Sequence, residues 1–383
     1  MSSRVFFYVQ HLLGIGHLRR AATLARGLAA RGFDVLLVSG GAPVPEIVPG
    51  LDLAGVRLRQ LPPLRARDEG LRELSLLDGS EPDDAFYAAR TLSLTSLLQL
   101  EAPDIVITEQ FPFGRTRLRF ELLPMLNAAK TLTRRPRVFA SVRDVLRDTV
   151  SDARVNETLE IFDGHFDGVL AHADPRLIAL DRSFRGFERL KDRVHYTGYI
   201  AESDLVQKGS QGRGEVVVSI GGGAVGGPLL QAALAARPLT QLKDRTWRLL
   251  LGGNLDPAEA ERLRRDAPAG VIVEPARADF VTLLANATLA VSQAGYNTVV
   301  ETLACADRAV LVPFATGRET EQTIRARAVV ARGAAEMVDG TALDGPTLAA
   351  AIDRALAGLS LRALPKLDVN GVAATASLLK GLS

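Results

Sequence analysis

Short apolar runs alternate with longer amphipathic stretches along this chain, and after one polar interruption the alternation starts again. A parallel sheet flanked by helices produces that pattern, because strands buried on both faces read as continuous apolar runs. Residues 5–9 read as a first strand, 18–31 as a helix stopped by Gly32, and 35–39 as a second strand; further strands are expected at 56–61, 105–108, 138–141, 168–171 and 195–198. Residues 201–214 (AESDLVQKGSQGRG) carry no apolar period and read as a linker. Strands resume at 216–220, 247–251, 271–273, 289–291 and 310–312, with helices beginning near Pro228, Pro257, Ala278, Asn297 and Glu319. The expected fold class is α/β: two Rossmann-like, doubly wound domains facing across a cleft, residues 1–200 and 215–360. Residues 201–214 join them as a hinge, and 361–383 form a last helical segment whose host domain the pattern leaves open.

Charge and cysteine content narrow the partners. The 46 basic and 44 acidic residues leave a net charge of +2, so no nucleic-acid partner is expected. The one cysteine, Cys305, excludes an internal disulfide framework and a thiolate zinc site. The apolar segment at 5–9 is too short for a signal-peptide core, and no run reaches membrane-spanning length. A cytoplasmic location is expected, with peripheral membrane association as the alternative.

The most informative stretch is 292–301, Ser-Gln-Ala-Gly-Tyr-Asn-Thr-Val-Val-Glu, which ends a strand, turns and opens a helix. Gly295 has no Cβ and lets an anion approach the backbone, while Asn297 and Thr298 stand where a helix has N–H groups to spare and its dipole is positive. Glu301 shares the face of Asn297 one turn on. A diphosphate would repel it, but the hydroxyls of an adjoining ribose would not. A plain capped helix with a solvated Glu301 accounts for the same local spacing.

A wider segment, 273–322, bears on that choice. Pro275, Gly295, Asn297, Thr298, Glu301, Pro313, Glu321 and Gln322 occur in the order found in the donor-binding region of two-domain, GT-B-type nucleotide-sugar glycosyltransferases. The segment resembles in particular the plant natural-product glucosyltransferases. The resemblance implies that Ser292, Gly295, Asn297 and Thr298 hold a diphosphate and Glu301 the ribose. It implies further that Glu321 and Gln322 meet the sugar hydroxyls or ribose, and that the backbone at Ala276 and Arg277 meets the base. Two positions depart from the pattern: Gln293 stands where the plant family has a phosphate-contacting His, and Arg277 where it has Gln.

A second glycine loop, Gly221-Gly222-Gly223-Ala224-Val225-Gly226-Gly227, follows the strand at 216–220. Gly221, Gly223 and Gly226 fit the dinucleotide fingerprint, but the next strand ends in Gly252-Gly253-Asn254 with no acid for an adenosine ribose, so a nicotinamide or flavin enzyme is not expected. In the glycosyltransferases such a loop closes over the donor diphosphate, and Ser219 with Gly221, Gly222 and Gly223 resembles it. A tight strand-to-helix turn is the plain alternative.

The first strand leads into Gln10-His11-Leu12-Leu13-Gly14-Ile15-Gly16-His17-Leu18-Arg19-Arg20. This places His17 at a helix start, where the dipole opposes its protonation and keeps a neutral imidazole available as a general base. A helix-capping histidine is the alternative. The Gly-x-Gly-His-x-x-Arg pattern is similar to the first loop of the lipid-linked N-acetylglucosaminyltransferase of peptidoglycan synthesis, and closer to that of the UDP-sugar hydrolase of the pseudaminic acid pathway. By that resemblance His17 deprotonates the attacking group, and Gly14 and Gly16 let the phosphates or acceptor approach. Arg20 reads as a solvated helix charge, and His165, His172 and His195 as core or edge histidines.

At strand ends in the first half, Glu109 and Phe111 are candidates for the acceptor side and Asp144 for supporting His17; each is equally a loop residue or cap. The chain has no Asp-x-Asp pair of the kind that holds a divalent cation in the other main glycosyltransferase fold. The expected reaction is therefore one metal-free, inverting displacement from a nucleoside diphosphate sugar, with UDP as the expected carrier and no other cofactor. The acceptor is a small-molecule or lipid-linked hydroxyl. Water as acceptor (a hydrolase), an epimerase of related fold, and a catalytically silent binding protein stand as the alternatives.

Overall fold

The computed structural model describes residues 2–381 except 13, 68–72, 147–150, 202–208, 222–225, 254, 315–319 and 334. The chain forms two compact units: residues 1–175, 179–200 and 370–383 make the first, and 176–178 with 201–369 the second. Half of the expected hinge, residues 202–208, lies outside the described residues.

In the first unit the strands are β1 (Arg4–Val9), β2 (Asp34–Ser39), β3 (Arg57–Gln60), a two-residue hairpin of β4 (Arg65–Ala66) and β5 (Leu74–Ser75), β6 (Ile105–Glu109), β7 (Arg137–Val142), β8 (Gly168–Ala171) and β9 (Val194–Tyr196). Seven of them form one sheet in the order β3-β2-β1-β6-β7-β8-β9. Its helices are α1 (Gly16–Ala29), α2 (Val48–Leu53), α3 (Asp84–Glu101), α4 (Arg119–Thr131) and α5 (Asp152–His165). Strand β1 is buried on both faces, which is why it reads as VFFYV: Phe6 and Tyr8 join the core beneath α3 and α4, while Val5, Phe7 and Val9 join the core beneath α1.

The second unit repeats the plan. Strands β10 (Val216–Ser219), β11 (Trp247–Leu251), β12 (Val271–Pro275), β13 (Leu289–Ser292), β14 (Ala309–Leu311) and β15 (Ala335–Met337) form a sheet in the order β12-β11-β10-β13-β14-β15. The helices are α6 (Gly227–Ala236), α7 (Pro257–Asp266), α8 (Phe280–Asn286), α9 (Tyr296–Cys305), α10 (Glu321–Val330) and α11 (Gly345–Ala357). All sheet pairings in both units are parallel, apart from the small hairpin. Strand β15 went unread in the sequence because its three residues, Ala-Glu-Met, are too few to show a period; it is an edge strand held by β14.

The last helix, α12 (Gly371–Gly381), returns to the first unit and packs on α1. Gly27 makes room for it, since a Cβ there would lie 2.0 Å from Val372 Cγ1. The Gly371 amide donates to the Tyr199 carbonyl at 3.0 Å. Residues 361–369 stay with the second unit, where Leu361 is buried. The final segment is thus divided between the two units. Among the described residues no helix is long and apolar enough to cross a membrane.

Candidate active site

In each sheet the strand order reverses once, between β1 and β6 and between β10 and β13. Loops leaving the carboxyl ends of strands on either side of such a reversal run in opposite directions and open a crevice, where ligands of doubly wound folds bind. Several of the sequence-predicted residues, His17, Glu109, Ser219, Ser292 and Gly295 among them, lie at these two places.

At the first, Glu109 ends β6 and is buried, and its carboxylate is a meeting point for donors. His17, the second residue of α1, brings Nδ1 to 2.7 Å from Glu109 Oε1. Arg20, one turn later, donates to the same oxygen, and the Ser141 hydroxyl donates to Oε2 at 2.8 Å. An ionised carboxylate only accepts, so His17 carries its proton on Nδ1 and turns the Nε2 lone pair outward. Nε2 takes no hydrogen bond from the described residues and is not sealed from solvent; the side chain keeps 16% of its surface. Burial holds the His17 pKa well below the usual imidazole value, and the neighbouring charges of Arg143, Arg115 and Arg20 push the same way. The neutral imidazole expected from the helix dipole is thus favoured mainly by desolvation and nearby cations.

Several expectations change here. Glu109, expected on the acceptor side, is the partner of His17. Asp144, expected to support His17, is buried with its carboxylate 3.4 Å from the Tyr199 hydroxyl. Phe111 is wholly enclosed in the core beside Phe166, so it cannot line an acceptor site. Arg20 is 2% exposed rather than solvated. Its signal in the sequence was its distance of three from His17, which puts both side chains on one helix face. The next loop holds two non-glycine residues in the left-handed region, Gln110 (φ 67°) and Arg115 (φ 58°), a costly conformation of the kind found where a loop is shaped for function. Gly16 is the first residue of α1 and Gly14 lies just before it.

The second place is built mainly from small and neutral groups, with one buried cation, Arg325, against its turn. Ser219 and Ser292 are register partners at the ends of β10 and β13, so the loops that follow start side by side. The Ser219 hydroxyl accepts from the Gly221 amide at 3.2 Å, and Gly221 (φ 64°) turns the chain so that a Cβ there would lie 3.5 Å from Thr298 Oγ1. Gly222 and Gly223 lie outside the described residues. The third fingerprint glycine, Gly226, is required by packing, because its Cβ would fall 2.3 Å from Ile220 Cβ.

Helices α3, α5, α7 and α11 begin with an Asp or Ser side chain bonded to their first amides; α1, α6 and α9, which leave the reversal points, do not, and neither do α2, α4, α8 and α10. In α9 the first helical bond runs from the Val299 amide to the Gly295 carbonyl at 2.9 Å, so the amides of Tyr296, Asn297 and Thr298 stand outside the helical ladder. Gly295 has an ordinary φ of −63°, and among the described residues no atom lies within 4 Å of where a Cβ would go, so neither its backbone nor its described neighbours call for glycine there. The Ser292 hydroxyl is buried and has no hydrogen-bond partner among the described residues. The backbone amide of Gln293 is taken up by the Ser219 carbonyl at 3.2 Å. Glu301 lies partly exposed on α9, one turn beyond Asn297.

Further expected residues lie on α10 and after β12. Glu321 opens α10 and is partly exposed, whereas the Gln322 side-chain carbonyl accepts from the Phe314 amide at 3.0 Å, so that end of Gln322 shapes the loop. The Arg277 side chain forks onto Asp279 with two 2.7 Å bonds, and the Ala276 amide is bonded to the Leu251 carbonyl at 3.0 Å, which leaves carbonyls rather than the Ala276 N–H for a base. Arg325 was missed: it is 1% exposed, donates to the Ala294 carbonyl at 2.8 Å and lies over the Tyr296 ring, gripping the loop on both sides of Gly295. Its signal was the four-residue spacing from Glu321.

Two parallel Rossmann-like units, each with its polar residues at a strand-order reversal, are the architecture of the GT-B glycosyltransferases. Residues 217–364 match the glycosyltransferase family 28 C-terminal domain. Among curated proteins, the chain is 39% identical over 74 residues (19% of each chain) to the UDP-N-acetylglucosamine–N-acetylmuramyl-(pentapeptide) pyrophosphoryl-undecaprenol N-acetylglucosamine transferase of Anaeromyxobacter sp. (strain Fw109-5). It is 28% identical over 145 residues, 37% of this chain and 40% of the relative, to the enzyme of the same name from Thermodesulfovibrio yellowstonii (strain ATCC 51303 / DSM 11347 / YP87). The matched region thus spans less than half the length of these relatives. Among solved structures, CalG4, the calicheamicin glycosyltransferase, aligns over 100% of this chain and 98% of its own at a TM-score of 0.61 and 16% identity, which is a likeness of fold.

Proposed function

We propose that the chain transfers a sugar from a nucleoside diphosphate donor, UDP by preference, to a hydroxyl acceptor in one inverting, metal-free displacement. The observation that carries this reading is Gly295: an ordinary φ and an empty Cβ position at the uncapped start of α9, beside the buried, unpartnered Ser292 hydroxyl, suit the close approach of a phosphate. Glu301 takes the ribose one turn on. His17 Nε2 takes the acceptor proton as the diphosphate leaves, and Glu109 stabilises the imidazolium that forms. The UDP preference and a small-molecule or lipid-linked acceptor are supported by the names of the curated relatives, which use UDP-N-acetylglucosamine and an undecaprenol-linked substrate. A base with an open Nε2 serves water equally well, which keeps hydrolysis of the same donor as the second reading.

The test is a panel of UDP- and TDP-sugars, read by calorimetric binding and by release of nucleoside diphosphate, with and without acceptors and with EDTA. Binding of at least one donor, a 10- to 100-fold loss of that affinity in Glu301→Ala, and turnover indifferent to the chelator are expected. If no nucleotide sugar binds, or Glu301→Ala binds as well as the parent, the reading is wrong. Release that is no faster with any acceptor selects the hydrolase.

A further inference from the structure

Beneath His17 a line of polar side chains crosses the ends of neighbouring strands. Ser141 lies near the end of β7, His172 follows β8 and Thr197 follows β9, and all three are buried. His172 Nε2 is 3.2 Å from the Ser141 hydroxyl, and His172 Nδ1 is 2.8 Å from the Thr197 hydroxyl. Donor roles follow from one end. The Glu109 carboxylate can only accept, so Ser141 gives its single proton to Glu109 and must accept from His172. His172 is then protonated on Nε2, and its Nδ1 accepts from Thr197, whose hydroxyl also lies 3.2 Å from the Gly198 carbonyl and 3.4 Å from the Ala171 carbonyl but gives its one proton along the shorter 2.8 Å contact. Every proton in the line Thr197, His172, Ser141 points toward Glu109, and His17 points toward it from the other side.

We propose that Ser141, His172 and Thr197 are positioning residues: a one-directional hydrogen-bond relay that pins the Glu109 carboxylate and thereby fixes which nitrogen of His17 carries the proton. The relay spreads part of the carboxylate's charge over Ser141, so Glu109 orients His17 without drawing a second proton onto it. His17 also faces Arg20 from α1, Arg115 and Arg143 from the loops after β6 and β7, and His11 from the loop after β1; His172 faces Arg20. Asp144 and Asp174 are the buried acids following β7 and β8. Burial keeps His172 neutral, which the one-directional line requires. The kinetic consequences rest on the proposed sugar transfer; the tautomers do not.

The experiment is long-range 1H–15N spectroscopy of the full chain labelled with 15N-histidine, across pH, beside kcat and KM for nucleotide-sugar turnover. At pH 7 His17 should be the neutral Nδ1–H form and His172 the Nε2–H form. Ser141→Ala leaves the carboxylate with one donor fewer and more charge on the His17 side. The titration of His17 and the acid limb of kcat should then move to higher pH, with kcat falling about 10-fold at little change in KM. His172→Gln, which keeps an N–H for Ser141, should stay near the parent, and His172→Leu should follow Ser141→Ala. A merely structural role would lower thermal stability and leave both the His17 tautomer and the acid limb in place, and that result overturns the relay. So does a parent His17 in the Nε2–H form. Should no nucleotide sugar turn over while the tautomers are as stated, the sugar-transfer reading fails and the relay stands.

Discussion

At the reversal beside β1 the chain buries charge: Arg20, Glu109 and an imidazole held neutral meet within hydrogen-bonding distance, with Ser141 near the end of β7 supplying a further donor. At the reversal beside β13 it places glycine, serine and threonine against amides that no Asp or Ser cap occupies. The same topology therefore carries two kinds of site. A buried ion pair fixes its members' positions and protonation, which suits a group that must move one proton from one atom. Uncapped amides and missing side chains leave room and partial positive charge, which suits a ligand that brings its own negative charge.

The largest effect should come from removing the base. His17→Ala is expected to lower kcat for sugar release by roughly 100- to 10,000-fold, the usual span for a general base, while calorimetric affinity for the nucleotide stays within about twofold. An equal loss of affinity would place His17 in the donor site and erase the distinction between the two reversals. The next effect belongs to the other side. Gly295→Ala adds a methyl group to open space at an ordinary φ, so melting should be unchanged while donor affinity falls about 10-fold. Gly226→Ala pushes a Cβ into Ile220, so it should lower the melting temperature instead. Were Gly295→Ala to bind as tightly as the parent, the empty space would be only space.

How much of this could be read beforehand differs between the two sites. The geometry at β13 was legible because it is local: one decapeptide supplies the strand end, the turn and the helix start, and its spacing survives in the one-dimensional string. The β1 site was half legible. His17 and its glycines are contiguous, but Glu109 lies 92 residues away and Ser141 another 32, joined only by the pairing of β1 with β6 and of β6 with β7. Glu109 and Asp144 both follow apolar runs, and the sequence offered no reason to choose between them. The choice depends on Glu109 being the last residue of its strand, register partner of Ser141. Phe111 misled for the opposite reason: it sits in a loop by sequence, yet it turns into the core.

The smallest expected effect uses the same contrast in the stability of the units. All five histidines, His11, His17, His165, His172 and His195, belong to the first unit, and burial lowers the pKa of every one. Unfolded, they take up protons below about pH 6.5. Folded, they stay neutral to lower pH, so between those limits the unfolded chain binds more protons and the first unit loses stability as pH falls. The second unit has no such groups; its depressed acids, among them Asp279 and Asp344, respond only toward the carboxylate range. The single tryptophan, Trp247, is fully buried in the second unit and bonds the Leu242 carbonyl at 3.0 Å. Its fluorescence therefore reports that unit, while far-ultraviolet circular dichroism reports both. Between pH 7 and pH 5 a dichroism transition should move to lower temperature by about 5 °C while the Trp247 transition holds, and His172→Gln should narrow the gap. If the two transitions instead fall together at every pH, the histidines of the first unit do not set its acid stability independently, and the contrast between the units is confined to their binding chemistry.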